Sequence, residues 1–311
     1  MLAETGWIEQ ARSLVPPEAV TAAARSELMS RSSIVFGNLE GSNPVRMYGV
    51  YSGFFYLPLS LTMFYGDDDP DSLLDLATTL AIGHGHFAIM DRILDEQKIA
   101  VPLVPAAQMM LAIYLARMDR RYGAYLDVTQ AHDRHYRSYA EAASLEHQQR
   151  GRLRSQADFD VAFLGAKAAP SCMPLEAIMR QAGQSQVYPA LQEAFLRFAC
   201  ALQLLDDLTD IRVDFADGLS SLPVNLLLYH SLGRTTWPEK GEIDPTDLHA
   251  LSVLGGVQEA CLCLVIDMLE DVVHRSHHLR VVPLWQAATS RLAGAREELD
   301  RCREAKLRVA A

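Results

Sequence analysis

The sequence has almost no strand signal: no alternating run of apolar and polar residues closes on an Asn-Gly or Asp-Gly turn. Sheet architectures are thereby excluded, and an all-α fold is expected. No stretch of about 18 or more uncharged apolar residues occurs, so no transmembrane segment is expected. Gly/Ser linkers, low-complexity tracts and internal repeats are missing too, and residues 1–311 read as one domain. Positive charge is scarce: 28 Lys and Arg face 39 Asp and Glu, for a net charge of -11. Such a chain lacks the basic face that a nucleic acid backbone requires, so no nucleic-acid partner is expected. An anionic small molecule is not excluded, because divalent cations bridge carboxylates to phosphate. The five cysteines, Cys172, Cys200, Cys261, Cys263 and Cys302, form no CxxC. Their odd count and apolar surroundings argue against a disulfide framework or a zinc site and fit a cytoplasmic location. The opening MLAETGWIEQARSLVPPEAV carries acids and no apolar core, unlike a secretory signal.

Helix signal fills the space. Half of the residues are apolar. Pro16-Pro17 opens a helix, and a break at 41–44 precedes the very apolar VRMYGVYSGFFYLPLSLTMFYG. Asp67 to Asp71 read as a turn and N-cap, from which a helix runs to about residue 97. Pro102 and Pro105 open the next, to about 118; residues 119–150 are polar and rich in His and Arg. A helix over 155–183 has a weak middle, where Gly165, Pro170 and Pro174 are expected to kink or break it. Further helices are expected over 188–214, from Pro223 to about Leu232, over 245–278 and over 283–308. About ten helices, several apolar on most faces, predict a large bundle. The apolar helices are compatible with a homodimer.

Two acidic segments interrupt this pattern. In Asp91-Arg92-Ile93-Leu94-Asp95-Glu96, Asp91 and Asp95 are four apart and project from one helix face, with Cβ atoms about 5–6 Å apart. In FACALQLLDDLTDIRVDFADGLSSLP, Asp206, Asp210 and Asp214 run at i, i+4 and i+8, with Asp207 beside them. Bare carboxylates this close repel each other, and the preceding turns are apolar all round. Mg²⁺ resolves the conflict, since it takes a few carboxylate oxygens and leaves its other positions for water and phosphate.

The second segment resembles the second Asp-rich motif of the class I isoprenoid synthases. Asp206, Asp210, Asp214, Gly218, Leu222 and Pro223 follow the squalene and phytoene synthase pattern, while Gln203 through Asp210 equally resembles the DDxxD of the trans-prenyltransferases. DRILDE resembles the first motif, with Asp91 and Asp95 as its outer acids. Lys167 stands where prenyltransferases carry a diphosphate-contacting Lys. The resemblance covers roughly residues 50–230. It implies a helical isoprenoid synthase fold around an apolar cavity, with the two motifs facing each other across its mouth. It also implies Mg²⁺, usually three ions, as cofactor and a prenyl diphosphate as substrate.

Three departures qualify it. Arg92 replaces the second acid of the first motif, which either weakens one metal position or contacts diphosphate itself. YSGFFYLPLSL carries no basic residue where chain-elongating enzymes hold isopentenyl diphosphate; Arg46 is the nearest. The Asn/Ser/Glu metal motif and late Arg-Tyr pair of common bacterial cyclases are not found.

What the family implies is ionisation of the diphosphate by metal held on Asp91, Asp95, Asp206, Asp210 and Asp214. Lys167, Arg92 and Arg212 are expected on the diphosphate, with Arg134, Arg137 and Arg275 as further candidates. Phe87 and Phe163, with Phe54, Phe55, Tyr56, Phe159 and Trp285, are the aromatic candidates for shielding the cation; core packing is the alternative for each. His84 and His86 read as core residues or bases near the cavity, and His274, His277 and His278 as residues that suit a helix C-terminus. Three functions are expected in order: a terpene synthase, a prenyltransferase that couples two substrates, and a non-catalytic binder of prenyl diphosphates.

Overall fold

The computed structural model describes residues 52–67, 69–96, 103–154, 161–239 and 241–310. Among them every regular element is helical, so the fold is all-α. The helix expected after Pro16-Pro17, the break at 41–44 and Phe159 lie outside the described residues. The chain divides into two compact units. Of the described residues, the first comprises those of 52–135, 171–189 and 281–283, and the second those of 136–170, 190–280 and 284–310.

The first unit is built on α1 (Ser52–Phe64), α2 (Pro70–Glu96), α3 (Leu103–Tyr122) and α6 (Cys172–Gln181), with the start of α4 (Val128–Gln148). The N-cap expected before α2 is made by Asp69, whose Oδ2 accepts from Ser72 N–H at 2.9 Å, with Pro70 at the first helical position. Helices α2 and α3 run antiparallel. Gly83 meets Tyr114, the Arg117 guanidinium holds Thr79 and Asp75, and Arg121 donates to the Ser72 carbonyl. Leu73, Leu76, Ala77 and Leu80 of α2 bury against this pairing with Met110, Tyr114 and Met118 of α3.

Gly83 sets the depth of that approach. A Cβ there would stand 2.7 Å from Cδ2 and Cε2 of the Tyr114 ring, which is itself buried. Gly83→Ala is therefore expected to destabilise the protein by about 1–3 kcal/mol, although alanine improves helix propensity by about 1 kcal/mol. Denaturant unfolding measures this, and an unchanged or raised midpoint would show that the ring can yield.

The second unit holds the rest of α4, then α5 (Val161–Ala166), α7 (Tyr188–Ala216), α8 (Leu222–Leu226), α9 (Leu248–Leu254), α10 (Val257–His278) and α11 (Val282–Ala310). Arg197 pairs with Asp271 at 3.0 Å and Arg275 with Glu193 at 3.0 Å, so α7 and α10 lie antiparallel. Glu270 with Arg296 and Glu259 with Arg303 set α10 against α11 in the same way. Phe195, Leu204 and Ile211 of α7 and Val265, Leu269 and Val272 of α10 are buried in this unit.

Two stretches take a form that their composition allows, and one differs from expectation. In the polar region 119–150, α3 runs on to Tyr122 and residues 128–148 form a helix, α4, whose buried face is Ala131, His135, Tyr139, Ala142 and Ala143. Small and aromatic residues at helical spacing give it a core side without a Leu/Ile/Val stripe. From residue 161 on, the helix expected over 155–183 breaks at its weak middle, as expected, into α5, a 3-10 turn at Ala169–Ser171, and α6. The single helix expected over 245–278 is α9 and α10, bent by 67°. The hinge is Gly255-Gly256, with Gly256 at φ +77°, a conformation glycine adopts without penalty. Among the described residues no single helix is long and apolar enough to cross a membrane.

Candidate functional site

The Asp-rich segment occupies the last three turns of α7, a helix of 29 residues. Its earlier turns are core: Leu191, Ala194, Phe195, Phe198, Ala199 and Ala201 are all buried. The helix therefore carries its carboxylates out of an apolar interior and towards its own C-terminus, where the macrodipole already presents negative charge. Burial, mutual repulsion and the dipole all oppose ionisation there.

The side chains bear this out unequally. Asp207 is buried, and its Oδ1 accepts from the Gln203 amide at 2.8 Å. Burial pushes its carboxyl up to about 7 against the pull of Gln203 and Lys167, and the Glu146 and Asp206 charges add to the rise. Asp214 is half-buried. Burial, then the Asp207 charge, push it up to about 8, while the Ser221 hydroxyl and Lys167 oppose. Asp206 is half-buried and Asp210 exposed. On a helix of about 3.6 residues per turn, positions 203, 206, 207, 210 and 214 fall within roughly one 100° arc. The result is a graded face that runs from a buried carboxyl to one in water.

Lys167 joins this face. Its Nζ pairs with Glu146 Oε2 at 2.6 Å, and its charge lowers both Asp207 and Asp214. It follows α5 directly, and Gly165 brings α5 against α7. A Cβ at Gly165 would stand 3.0 Å from the Leu196 carbonyl, so the weak middle seen in the sequence is where the chain must approach closely. Glu146, on α4, was not expected at the site. Sequence offers no signal for it, since it sits on a polar helix among other charges.

Burial and then the nearby Asp207 charge raise the Cys261 thiol, and the donors that α7 itself brings to this arc are four carboxylates and the Gln203 amide. That is the oxygen chemistry a hard divalent cation takes. Among the described residues no group of three or more His, Cys, Asp or Glu side chains forms a ready-made ligand shell. The acids are strung along a face, which fits a cation that keeps several positions for water and phosphate.

The other expected residues lie as follows. Asp91, Arg92 and Asp95 are in the last turns of α2, in the first unit, and their side chains lie outside the described residues, as do those of Phe54, Phe55 and Tyr56 on α1. Arg212 is exposed, roughly 240° around α7 from Asp206, and its charge lowers Asp244. Phe163 is half-buried beneath the Arg154 guanidinium, 4.1 Å from the ring centroid. Phe87 packs edge-on against His86, whose Nδ1 donates to the Ala107 carbonyl at 2.9 Å. Burial holds both His84 and His86 below the usual histidine range, His84 at about 4, so both are neutral core residues at pH 7. Arg134 holds Glu176, and Arg275 holds Asp271 and Glu193. Arg137 is exposed, Trp285 is half-buried, and His274 stacks on His278.

The first unit holds a second polar centre. Glu176 is buried in α6, and its carboxylate accepts from Arg134 at 2.7 Å, His135 at 3.2 Å and Arg180 at 2.8 and 3.0 Å. The Tyr188 hydroxyl, 3.2 Å from His135 Nε2, donates to the Cys172 carbonyl. The sequence signal was a lone acid in the apolar run CMPLEAIM with an arginine four residues on. Compared with known protein families and with curated proteins, the chain matches none.

Proposed function

We propose that the protein is a class I isoprenoid synthase that ionises an allylic prenyl diphosphate of 15 or 20 carbons with the help of Mg²⁺, and quenches or cyclises the cation as a terpene synthase does. The observation that carries this reading is the carboxylate face of α7. Four acids on one arc, the deepest held well above the ordinary Asp range by burial, are costly to the free protein and become favourable once a cation lies against them. Asp206 and Asp210 are the first ligands on this reading, Asp214 the next, and Asp207 orients the face from below through Gln203. Bound Mg²⁺ supplies charge stabilisation to the departing diphosphate. Lys167 is placed to add a positive charge beside the leaving group, with Glu146 fixing its position. Asp91 and Asp95, four apart on α2, are the second candidate acid pair and call for variants of their own.

The test is diphosphate release from geranyl, farnesyl and geranylgeranyl diphosphate, each with Mg²⁺ and with chelator, followed by extraction of the organic product. Mg²⁺-dependent release from one of them alone, with a hydrocarbon or alcohol product, is the expected result. Release only when a second prenyl substrate is present would move the assignment to a coupling prenyltransferase. Binding without release would make the protein a carrier or regulatory relative.

A further inference from the structure

The carboxylate face ends at Asp214, beyond which the chain turns to start α8. The turn is anchored on both sides. Leu219 N–H donates to the Asp214 carbonyl at 2.7 Å, and Gly151 N–H donates to the Gly218 carbonyl at 2.8 Å. Gly218, at φ +73°, takes the left-handed conformation that commonly ends a helix. Asn225 holds the far side. Its amide nitrogen donates to Ser220 Oγ at 2.5 Å and to the Ser221 carbonyl at 3.0 Å, and its Oδ1 accepts from Arg154 N–H at 2.7 Å. Asn225 is buried, and both polar atoms of its side chain are committed to the course of the chain.

Ser221, the residue so held, is the N-cap of α8. A serine there ordinarily accepts from the second or third N–H of its helix, which stabilises by about 1 kcal/mol. The Ser221 side chain makes no such bond, and Pro223, at the second position, has no N–H to offer. The Ser221 Oγ is nevertheless buried and makes no hydrogen bond of ordinary geometry. Asp214 is the charged group on which it acts. Burial and the Asp207 charge push that carboxyl up, and the Ser221 hydroxyl opposes them more than Lys167 does. A buried hydroxyl that neither caps its helix nor closes a good bond to the carboxylate beside it calls for a reason. Carboxylates that ligate a metal are themselves held by hydrogen bonds, and bonds at functional sites are often long in the free protein and tighten once the ligand is bound.

We infer that Ser221 is a positioning residue for Asp214: its hydroxyl donates to one carboxylate oxygen and leaves the other for a bound divalent cation, with Asn225 keeping the serine in register. The inference rests on the functional reading above and extends the site from α7 into the turn that follows it. Every residue it uses lies in the second unit.

The test is the unfolding midpoint of the full chain, titrated with Mg²⁺ in the presence of inorganic diphosphate, for the wild type, Ser221→Ala and Ser221→Thr, with the exposed Ser138→Ala as control. In Ser221→Ala the Mg²⁺ concentration that gives the half-maximal rise is expected to increase about tenfold or more, the usual effect of removing a hydrogen bond from a metal ligand. The cation-free midpoint of that variant is expected to change little, because the hydroxyl makes no ordinary bond in the free protein. Ser221→Thr, which keeps the hydroxyl, is expected to restore the wild-type dependence, and Ser138→Ala to leave it unchanged. Wild-type Mg²⁺ dependence in Ser221→Ala would overturn the positioning role and leave the functional reading standing. A loss that threonine does not restore, or one matched by a drop in the cation-free midpoint, would assign Ser221 to the shape of the turn and overturn the role as well. A wild type whose midpoint does not respond to Mg²⁺ and diphosphate would overturn the functional reading, and the role of Ser221 would fall with it.

Discussion

Replacement of Asp206 and Asp210 together by Asn is expected to lower Mg²⁺-dependent diphosphate release by about 10²–10³-fold or more, the effect typical of removing a preorganised electrostatic group from a transition state. The same double variant is expected to unfold at a slightly higher denaturant concentration than the wild type when no divalent cation is present. Asn preserves side-chain shape, so the first effect comes from lost negative charge. The second has the same origin. The charge of Asp206 pushes Asp207 up, and that of Asp210 pushes Asp214 up, so both acids burden the free fold. Opposite signs on activity and stability are what a functional site held against its own folding preference requires. If the double variant instead loses stability and keeps release, the two acids are ordinary helix residues and the reading of this face is wrong. Mg²⁺ titration of the unfolding midpoint separates the cases further, because a cation that binds only the folded face raises the midpoint of the wild type and leaves that of the variant in place.

The fold class was legible because it rests on local pattern. Asp69 and Pro70 start α2 where turn chemistry demands, and the missing strand signals left helices as the only elements. What sequence obscured was set by partners far along the chain. The α9–α10 bend needs Gly255-Gly256 to act as a hinge, and the same pair inside an apolar helical pattern also reads as a tolerated weakness. α4 hides because its core side is Ala, Tyr and His. At the site, the i, i+4, i+8 acids were visible, but their ranking was not. Spacing treats Asp206, Asp210 and Asp214 alike and sets Asp207 aside. Packing makes Asp207 the buried member, because Gln203 and the neighbouring core close over it. Glu146 joins the face only through its pairing with Lys167 far along the chain, which no periodicity encodes.

Glu176→Gln is expected to cost about 2–3 kcal/mol of stability at pH 7, about a quarter of that near pH 2.5, and almost nothing only below about pH 2. Burial alone would raise the Glu176 carboxyl, but hydrogen bonds from His135, Arg180 and Arg134 outweigh it and hold the group at about 2, against an ordinary 4.5. A carboxyl that is harder to protonate folded than unfolded contributes stability fully above the unfolded value. That contribution is lost as the pH falls from about 4.5 through about 2. The gap corresponds to about 3 kcal/mol at 1.36 kcal/mol per pKa unit. Arg134 and Arg180 expose 53% and 42% of their side chains and return to water when the charge is removed, which places the expected loss below the 3–5 kcal/mol of a fully buried broken pair. His135 and Tyr188 are buried and have no such escape, so the glutamine amide, which offers one acceptor where the carboxylate offered two, must leave part of the network unmet. The measurement is denaturant unfolding of wild type and variant across about pH 1.5 to 8. The two stability curves should converge on the acid side. Curves that stay parallel would mean that the arginines hold α6 by packing their stems, and that the buried charge contributes nothing to the first unit.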